Sequence, residues 1–273
     1  EILIARQVIS PDPTIRASAV RASEALPLVR RYQSLRPILG DKNRSVVTEL
    51  AAALAGVPLG QIPRDDALAL KEIFLQYLEI QRQDLDLPSV QARLGSFYRA
   101  RGDLEAAEAS YQAAMAIDPL TVGAYLNLAD LKRVQGNEQR ARSVLLEGLT
   151  LMPSQPSLRH ALGLLEVRAG DYEKALTYLE EAADLEEGGL QYRYVYAVAL
   201  HDLGQVREAI DQLKTALEYS RYSADVLYAL AEYSFEIARY ADAQTYAQQL
   251  VSFYPDNDAY LRLSEKIRTL GQD

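Results

Sequence analysis

One short stretch recurs at a constant interval along this chain and constrains its fold more than any other feature. In the clearest copy, GDYEKAL at residues 170–176, a residue that tolerates positive φ and a capping Asp precede strong helix formers. Further copies begin at Gly102, Gly136, Gly204 and Ala238, so that all five are evenly spaced. Each reads as the bend between two helices. The regular spacing predicts an all-α, right-handed α-solenoid of helix–turn–helix repeats.

The packing pattern around these bends places a large residue beside a small one on the first helix of each repeat. The pairs are Leu94-Gly95, Leu128-Ala129, Leu162-Gly163, Tyr196-Ala197 and Leu230-Ala231. A small residue on the second helix is followed four positions later by a packing residue on the same face. The small residues are Ala107, Ala141, Ala175, Ala209 and Ala243, and the later ones are Tyr111, Leu145, Leu179, Leu213 and Ala247. The two helices of a repeat are therefore expected to pack closely.

This pattern, with Pro119, Pro153 and Pro255 closing repeats, resembles the tetratricopeptide family over about two thirds of the chain. The resemblance implies five repeats at residues 88–121, 122–155, 156–189, 190–223 and 224–257. A capping helix from Asp258 to Leu270 is expected within residues 258–273.

Two departures from the family pattern predict local differences. The third and fourth repeats close without proline, at Glu187 and Arg221, so the stretch EEGG at residues 186–189 predicts a looser joint. The fifth repeat has Ala238 in place of glycine and Ala247 in place of a larger residue. Its two helices are expected to meet at a different angle.

Residues 1–56 follow another rhythm, in which apolar positions recur at a slightly shorter interval, as from Ile15 to Val46. Two helical faces are predicted, one from Ile15, Ala19, Ala22 and Leu26 and one from Val46, Leu50, Ala53 and Leu54. The stretch DPTIR at residues 12–16, continued to Ala25-Leu26, resembles HEAT repeats. Residues 57–87 are predicted to form a connector and an adaptor helix that covers the open edge of the array. That helix runs from Asp65 to Gln83, with Leu68, Ile73, Leu75 and Leu78 among its apolar positions.

Charge and composition exclude several classes of function. The net charge of −9 lies in residues 88–273, which hold 18 Lys and Arg against 27 Asp and Glu, so nucleic acid is not an expected partner. The absence of cysteine excludes disulfides and thiolate chemistry within this segment. No apolar run approaches the ~20 residues of a membrane span. No nucleophile elbow, phosphate loop or zinc-protease helix is present, so no catalytic residue is predicted and the chain is not expected to be an enzyme.

The tetratricopeptide resemblance implies that the first helix of each repeat lines a concave groove. By the family's geometry the candidate groove residues are Arg99, Leu126, Asp130, Arg133, His160, Leu164, Gln191, Tyr194, Val198, His201, Asp225, Tyr228, Glu232 and Phe235. The aromatic members are candidate anchors for a peptide or helix, and packing of these rings on neighbouring repeats is the alternative explanation, which the pattern favours. His160 and His201 are predicted too far apart, at roughly 10 Å or more, to share a metal ion. No metal site is expected.

The order of parts also resembles the C-terminal portion of bacterial multihaem cytochrome c proteins. The stretch from Leu78 to Leu131 carries most of this resemblance, with GDLEAAE at residues 102–108 and YLNLADL at residues 125–131, and YVYAVAL at residues 194–200 adds to it. It implies haem c upstream of Glu1, none within this segment, and a periplasmic or extracellular location, with the cytoplasm as the alternative.

Two hypotheses on function follow. The first is a scaffold that binds a protein, or another copy of itself as a homo-oligomer, through the groove or the array ends. The second is the haem-free part of an electron-transfer protein.

Overall fold

A computed structural model describes residues 2–185 and 189–271 of the chain. These residues fall into two compact units, the N-terminal unit (residues 1–144) and the C-terminal unit (residues 145–273). Within the described residues the secondary structure is helical, with sixteen α-helices and four short 3-10 turns and no strand. The predicted all-α class is therefore confirmed.

The N-terminal unit contains the first eight helices and the first part of the ninth. They are α1 (Ile2–Gln7), α2 (Pro13–Ala22), α3 (Leu28–Leu35), α4 (Arg44–Leu54), α5 (Arg64–Gln81), α6 (Pro88–Arg101), α7 (Leu104–Ile117), α8 (Val122–Val134) and α9 (Glu138–Leu151). The C-terminal unit contains the end of α9 and seven more helices. These are α10 (Pro156–Ala169), α11 (Tyr172–Asp184), α12 (Gly189–Asp202), α13 (Val206–Tyr219), α14 (Ala224–Glu236), α15 (Tyr240–Phe253) and α16 (Asp258–Leu270).

The predicted bends have the expected local chemistry. Gly102 and Gly170 end α6 and α10 in the left-handed region, with φ of 82° and 77°. The Asp103 side chain then accepts a hydrogen bond from the backbone N–H of Ala106, and Asp171 accepts one from Lys174. These caps satisfy N–H groups that the first turn of a helix leaves unpaired.

Close packing follows the alternation of large and small residues. A Cβ atom at Gly95 would lie 2.4 Å from the ring of Tyr111, and one at Gly163 would lie 2.7 Å from the Leu179 side chain. The five small residues of the second helices, Ala107, Ala141, Ala175, Ala209 and Ala243, are each at most 1% exposed. Only glycine or alanine at these contacts lets the two helices of a repeat approach this closely.

The turn before α15 differs from the others because alanine takes the position of glycine. Ala238 has a φ of 60°, the one positive value at a non-glycine residue in the described part of the chain. The stretch at residues 186–189, expected to form a looser joint, lies outside the described residues except for Gly189. The predicted domain boundaries and the helix angle of the fifth repeat stay predictions.

Ala238→Gly is expected to stabilise the chain by about 1 kcal/mol. The left-handed conformation costs a non-glycine residue roughly 1–2 kcal/mol, and the larger freedom of glycine in the unfolded chain takes back part of that gain. Urea denaturation followed by circular dichroism would measure the change. Ala241→Gly, at an exposed site in the first turn of α15, is the control and should destabilise instead. A fall in stability for Ala238→Gly would contradict the strain argument.

The predicted buried face of α2 is correct at Ala19 and wrong at Ile15 and Ala22. Ile15 is 41% exposed and Ala22 is also exposed, whereas Ala17, Ala19 and Val20 form the buried face. The difference arises because α2 packs on α4, whose predicted face of Val46, Leu50, Ala53 and Leu54 is buried as expected. An ion pair of 2.6 Å between Arg16 and Asp41 joins the start of α2 to the segment before α4.

The long helix α5 packs through one face on α4 and α6. Its buried residues include Leu70, Ile73, Phe74 and Tyr77, and the rings of Phe74 and Tyr77 lie 5.5 and 4.9 Å from that of Phe97 on α6. Leu68 and Leu75, counted among the apolar positions of this helix, lie instead on its opposite face, 55% and 64% exposed. The helix therefore has one face in the core and a second face carrying two exposed leucines.

Candidate functional site

The candidate groove residues of the N-terminal unit form a surface charge network. Asp130 accepts a hydrogen bond from Arg99 at 2.8 Å and another from Arg133 at 2.7 Å, and all three side chains are about one third or more exposed. Leu126 is half-buried beside them on α8. Ion pairs as exposed as these contribute about 0–1 kcal/mol each to the stability of the fold. The main effect of the network is therefore to hold the three charged side chains in fixed positions on the surface.

A cavity of about 610 Å³ also lies in the N-terminal unit. Its lining comes from α4, α5, α6 and α8 and comprises Thr48, Glu49, Ala52, Tyr77, Ala92, Arg93, Ser96, Phe97 and Asn127. Its two charged groups already have partners, because Glu49 pairs with Arg21 at 2.7 Å and Arg93 donates to Gln81 at 3.5 Å. The cavity is thus a mixed polar and apolar surface whose charges are engaged within the unit.

A second cavity, of about 280 Å³, lies in the C-terminal unit and is mainly apolar. It is lined by residues of α10, α11 and α12 and by the residue that follows α12. These are Leu164, Val167, Tyr172, Ala175, Leu176, Leu179, Val195, Val198, Ala199, Asp202 and Leu203. Leu164 and Val198 are candidate groove residues, and both are half-buried. The structure therefore brings these two together at an opening large enough for an apolar side chain.

A cluster of tyrosines and carboxylates lies beside this cavity, on α12 and α14. Burial and then the charges of Asp202, Glu232 and Glu236, together with Tyr194, raise the pKa of Tyr233 to about 12. Burial and then Asp225 and Glu232 raise the pKa of Tyr194. The charged groups acting on these two hydroxyls are all acidic, and α14 contains three carboxylates and neither Lys nor Arg. This surface therefore favours a positively charged ligand group.

The two histidines have different surroundings. The ring of His201 stacks on Tyr233 with centroids 3.8 Å apart, and its Nε2 atom lies 2.7 Å from Glu236. His160 on α10 lies with its ring 5.0 Å from that of Tyr192, and burial lowers its pKa. His201 thus belongs to the acidic cluster, whereas His160 is an aromatic packing residue.

The remaining candidate groove residues extend from this cluster towards α16. The Tyr228 hydroxyl donates to Glu232 at 3.1 Å, and its ring lies 6.1 Å from that of Tyr260. Phe235 has the ring of Tyr240 at 5.5 Å and the ammonium group of Lys266 at 5.5 Å. Gln191 and Asp225 are exposed at the starts of their helices.

The smaller cavity and the acidic cluster together form a surface that we call the α10–α14 surface. It comprises the lining of the smaller cavity together with Tyr194, His201, Asp225, Tyr228, Glu232, Tyr233 and Glu236. Several of these residues were not predicted as groove residues. Asp202 and Glu236 directly follow the last candidate groove residue of their repeats and are themselves one repeat length apart. Extending the predicted groove by one position in each repeat would have found both. Tyr172 and Leu176 come from the second helix of the repeat, which the groove prediction left out.

Two features are absent from the described part of the chain, a cluster of metal ligands and a membrane-spanning helix. No group of three or more His, Cys, Asp or Glu side chains there could hold a metal ion. Among the same residues, no helix has both the length and the apolar character needed to cross a membrane.

Sequence profiles of known families match three parts of the chain. Two profiles described as Tetratricopeptide repeat match residues 93–156 and residues 200–267. A profile described as Anaphase-promoting complex, cyclosome, subunit 3, matches residues 135–216. Among curated proteins, the TPR repeat-containing protein YpiA of Bacillus subtilis is 23% identical over 167 residues. That match covers 61% of this chain and 40% of the relative, so the chain spans less than half of the relative's length.

Solved structures show the same fold. Yeast Tom70 aligns over 99% of this chain and 57% of its own, with a TM-score of 0.64 and 15% identity. Pseudomonas aeruginosa pilF aligns over 82% of this chain and 100% of its own, with a TM-score of 0.51 and 20% identity. These likenesses confirm the predicted class, an α-solenoid of helix–turn–helix repeats. The profile matches at residues 93–156 and 200–267 show that the chain contains tetratricopeptide repeats there.

Proposed function

We propose that this chain is a non-catalytic protein-binding scaffold whose α10–α14 surface binds a peptide segment with an apolar side chain next to Lys or Arg. One observation carries the proposal: an apolar cavity of about 280 Å³ lies beside the carboxylates of Asp202, Glu232 and Glu236. Asp202 both lines the cavity and acts on the Tyr233 hydroxyl, so the two features are adjacent.

The apolar cavity supplies affinity in this proposal. An apolar side chain that leaves water and fills such a cavity gains about 1.5–3 kcal/mol. Tyr194 is half-buried one helical turn before Val198, which lines the cavity, and its side chain combines a large apolar ring with a hydroxyl. Tyrosines in such positions often contribute strongly to binding.

The carboxylates supply selectivity. Asp202 and Glu236 are 72% and 54% exposed at their side chains, so an ion pair with a ligand would contribute about 0–1 kcal/mol each. Several carboxylates together speed the association of a basic ligand and disfavour an acidic one. The surface is therefore suited to a basic peptide with an apolar anchor, and binding should weaken as salt is added.

Tyr194→Ala is expected to weaken such binding by about tenfold, because it removes a half-buried ring one helical turn before Val198, which lines the cavity. A random peptide library selected on the 273-residue chain would identify the ligand, and fluorescence anisotropy would measure the affinity of an enriched peptide. The enriched peptides should combine an apolar residue with Lys or Arg.

Tyr219→Ala on α13 is the matched control, since Tyr219 is 54% exposed on the second helix of its repeat. It should leave the affinity unchanged. Enrichment of acidic peptides, or equal affinities for the wild-type and Tyr194→Ala chains, would contradict the proposal.

The resemblances noted in the sequence stay predictions. They are the HEAT-like character of residues 1–56, the multihaem cytochrome parentage with haem c upstream of Glu1, and the periplasmic or extracellular location with its cytoplasmic alternative. A Soret band in the visible absorption spectrum of the native parent protein would support the cytochrome parentage.

A further inference from the structure

The larger cavity, of about 610 Å³ in the N-terminal unit, contains a buried hydroxyl that the fold does not use. Tyr77 on α5 is 1% exposed, and its hydroxyl makes no hydrogen bond within the described part of the chain. The charged groups that act on this hydroxyl include Arg93 and Glu49, and both of these residues line the cavity. The Tyr77 hydroxyl therefore lies on the side of the ring that faces the cavity.

This hydroxyl is a hydrogen-bond donor at neutral pH. Burial raises the pKa of Tyr77 to about 12, against the opposing effect of Arg93, so the group stays protonated and uncharged. A buried polar group without a partner is rare in folded proteins, because its hydration is lost and no bond within the protein replaces it. The Tyr77 hydroxyl thus points to a ligand atom that accepts its hydrogen bond.

The charges of the cavity favour an anionic ligand group. Glu49 pairs with Arg21 at 2.7 Å, so its negative charge is compensated within the unit. The partner of Arg93, in contrast, is the neutral amide oxygen of Gln81 at 3.5 Å, which leaves the positive charge of Arg93 uncompensated. A guanidinium group binds a carboxylate through two parallel hydrogen bonds.

The rest of the lining adds no further charge. The hydroxyls of Thr48 and Ser96 donate to backbone carbonyls of their own helices at 2.9 and 3.2 Å, and Asn127 is neutral. The apolar part of the lining consists of two alanines and Phe97, whose ring lies 4.9 Å from that of Tyr77. A cavity of this volume has the size of sites that hold small organic molecules.

We propose that this cavity binds a small organic carboxylate with an apolar body. The carboxylate pairs with Arg93 and accepts a hydrogen bond from the Tyr77 hydroxyl, and the apolar body packs against Phe97. A cationic ligand would be repelled by Arg93, and a neutral ligand would gain nothing from its charge. The lining comes only from α4, α5, α6 and α8, so the proposal does not depend on the peptide-binding function of the C-terminal unit.

NMR titration of phenylacetate with the full 273-residue chain, in a buffer free of carboxylates, tests the proposal. Phenylacetamide and 2-phenylethylammonium are neutral and cationic counterparts of nearly the same size. Phenylacetate should bind in the millimolar range, as expected for so small a ligand, and about fivefold or more tightly than either counterpart. Binding of either counterpart as tight as that of phenylacetate, or no binding of phenylacetate up to its solubility limit, would overturn the proposal.

Two substitutions test the placement of the carboxylate. Arg93→Gln should weaken phenylacetate binding about fivefold, a moderate effect because Arg93 is exposed at the opening of the cavity. Arg64→Gln removes the same charge from an exposed site at the start of α5 and should leave the affinity unchanged. Equal effects of these two substitutions would contradict the assigned ion pair.

Tyr77→Phe separates a binding role of the hydroxyl from a structural one. It should weaken phenylacetate binding about threefold or more, because it removes a donor and keeps the ring. The free energy of unfolding should stay unchanged or rise, because the hydroxyl has no partner within the fold to lose. An undiminished affinity, or a loss of stability in urea denaturation, would show that the hydroxyl does not serve a ligand and would overturn the proposal.

Discussion

Ala209→Arg is expected to lower the free energy of unfolding by about 3–5 kcal/mol. Ala209 is 0% exposed and belongs to the core cluster of the C-terminal unit that includes Leu213. An arginine there would have to displace packed side chains and bury its guanidinium without a carboxylate, and the unpaired charge is the larger of the two costs. Urea denaturation followed by circular dichroism would measure the loss.

Ala109→Arg is the matched control for this change. Ala109 lies on α7, the second helix of its own repeat, but it is exposed, so an arginine there reaches solvent. Alanine and arginine have similar helix propensities, and the control should change stability by less than about 0.5 kcal/mol. Equal effects at the two sites would mean that residue 209 is not buried between the helices.

The bends and close contacts of the repeats could be predicted because the information for them is local. A glycine in the left-handed region and an Asp that caps the next helix are neighbours in the chain, as at Gly170 and Asp171. The large and small pairs recur once in every repeat, so each copy supports the interpretation of the others. A single copy would not show which helix packs against which, but the recurrence of the same pair in every repeat does predict it.

The buried faces of α2 and α5 were harder to predict than the bends of the repeats, because each of these helices has apolar residues on more than one face. Leu68 and Leu75 follow a helical spacing as regular as that of Leu70, Ile73 and Tyr77. Periodicity identifies an apolar stripe but does not say which neighbour covers it. That choice depends on where α4 and α6 lie, which is tertiary information.

The candidate groove residues show the same limit. Taking the first helix of each repeat led to Leu164 and Val198, which line one cavity, and to Tyr194 and Glu232, which lie in the acidic cluster. The cavity also needs Leu176 from the second helix, because a pocket between helices takes residues from all of them. A prediction made for one helix at a time therefore finds residues on the surface, but it misses the residues that other helices contribute to the same cavity.

Gly95→Ala is expected to lower the free energy of unfolding by about 2 kcal/mol, and the companion change Tyr111→Leu should reverse most of that loss. The new methyl group would lie 2.4 Å from the Tyr111 ring, which is itself 0% exposed and has nowhere to move. Overpacking of this kind costs about 1–3 kcal/mol, against a gain of up to about 1 kcal/mol in helix propensity. The same denaturation experiment would measure the single and double variants.

The double variant is the decisive control for this contact, because it installs a combination that the chain already uses. In the fourth repeat the equivalent residues are Ala197 and Leu213, and both are fully buried in one cluster. Tyr111→Leu alone should also destabilise, since it leaves space beside Gly95 and removes the hydroxyl that lies 3.3 Å from the Ser96 hydroxyl. The two changes should therefore be coupled by about 1–3 kcal/mol in favour of the double variant. Simple additivity would mean that the Gly95 position does not set the distance between α6 and α7, and that the alternation of large and small residues is not what holds the two helices together.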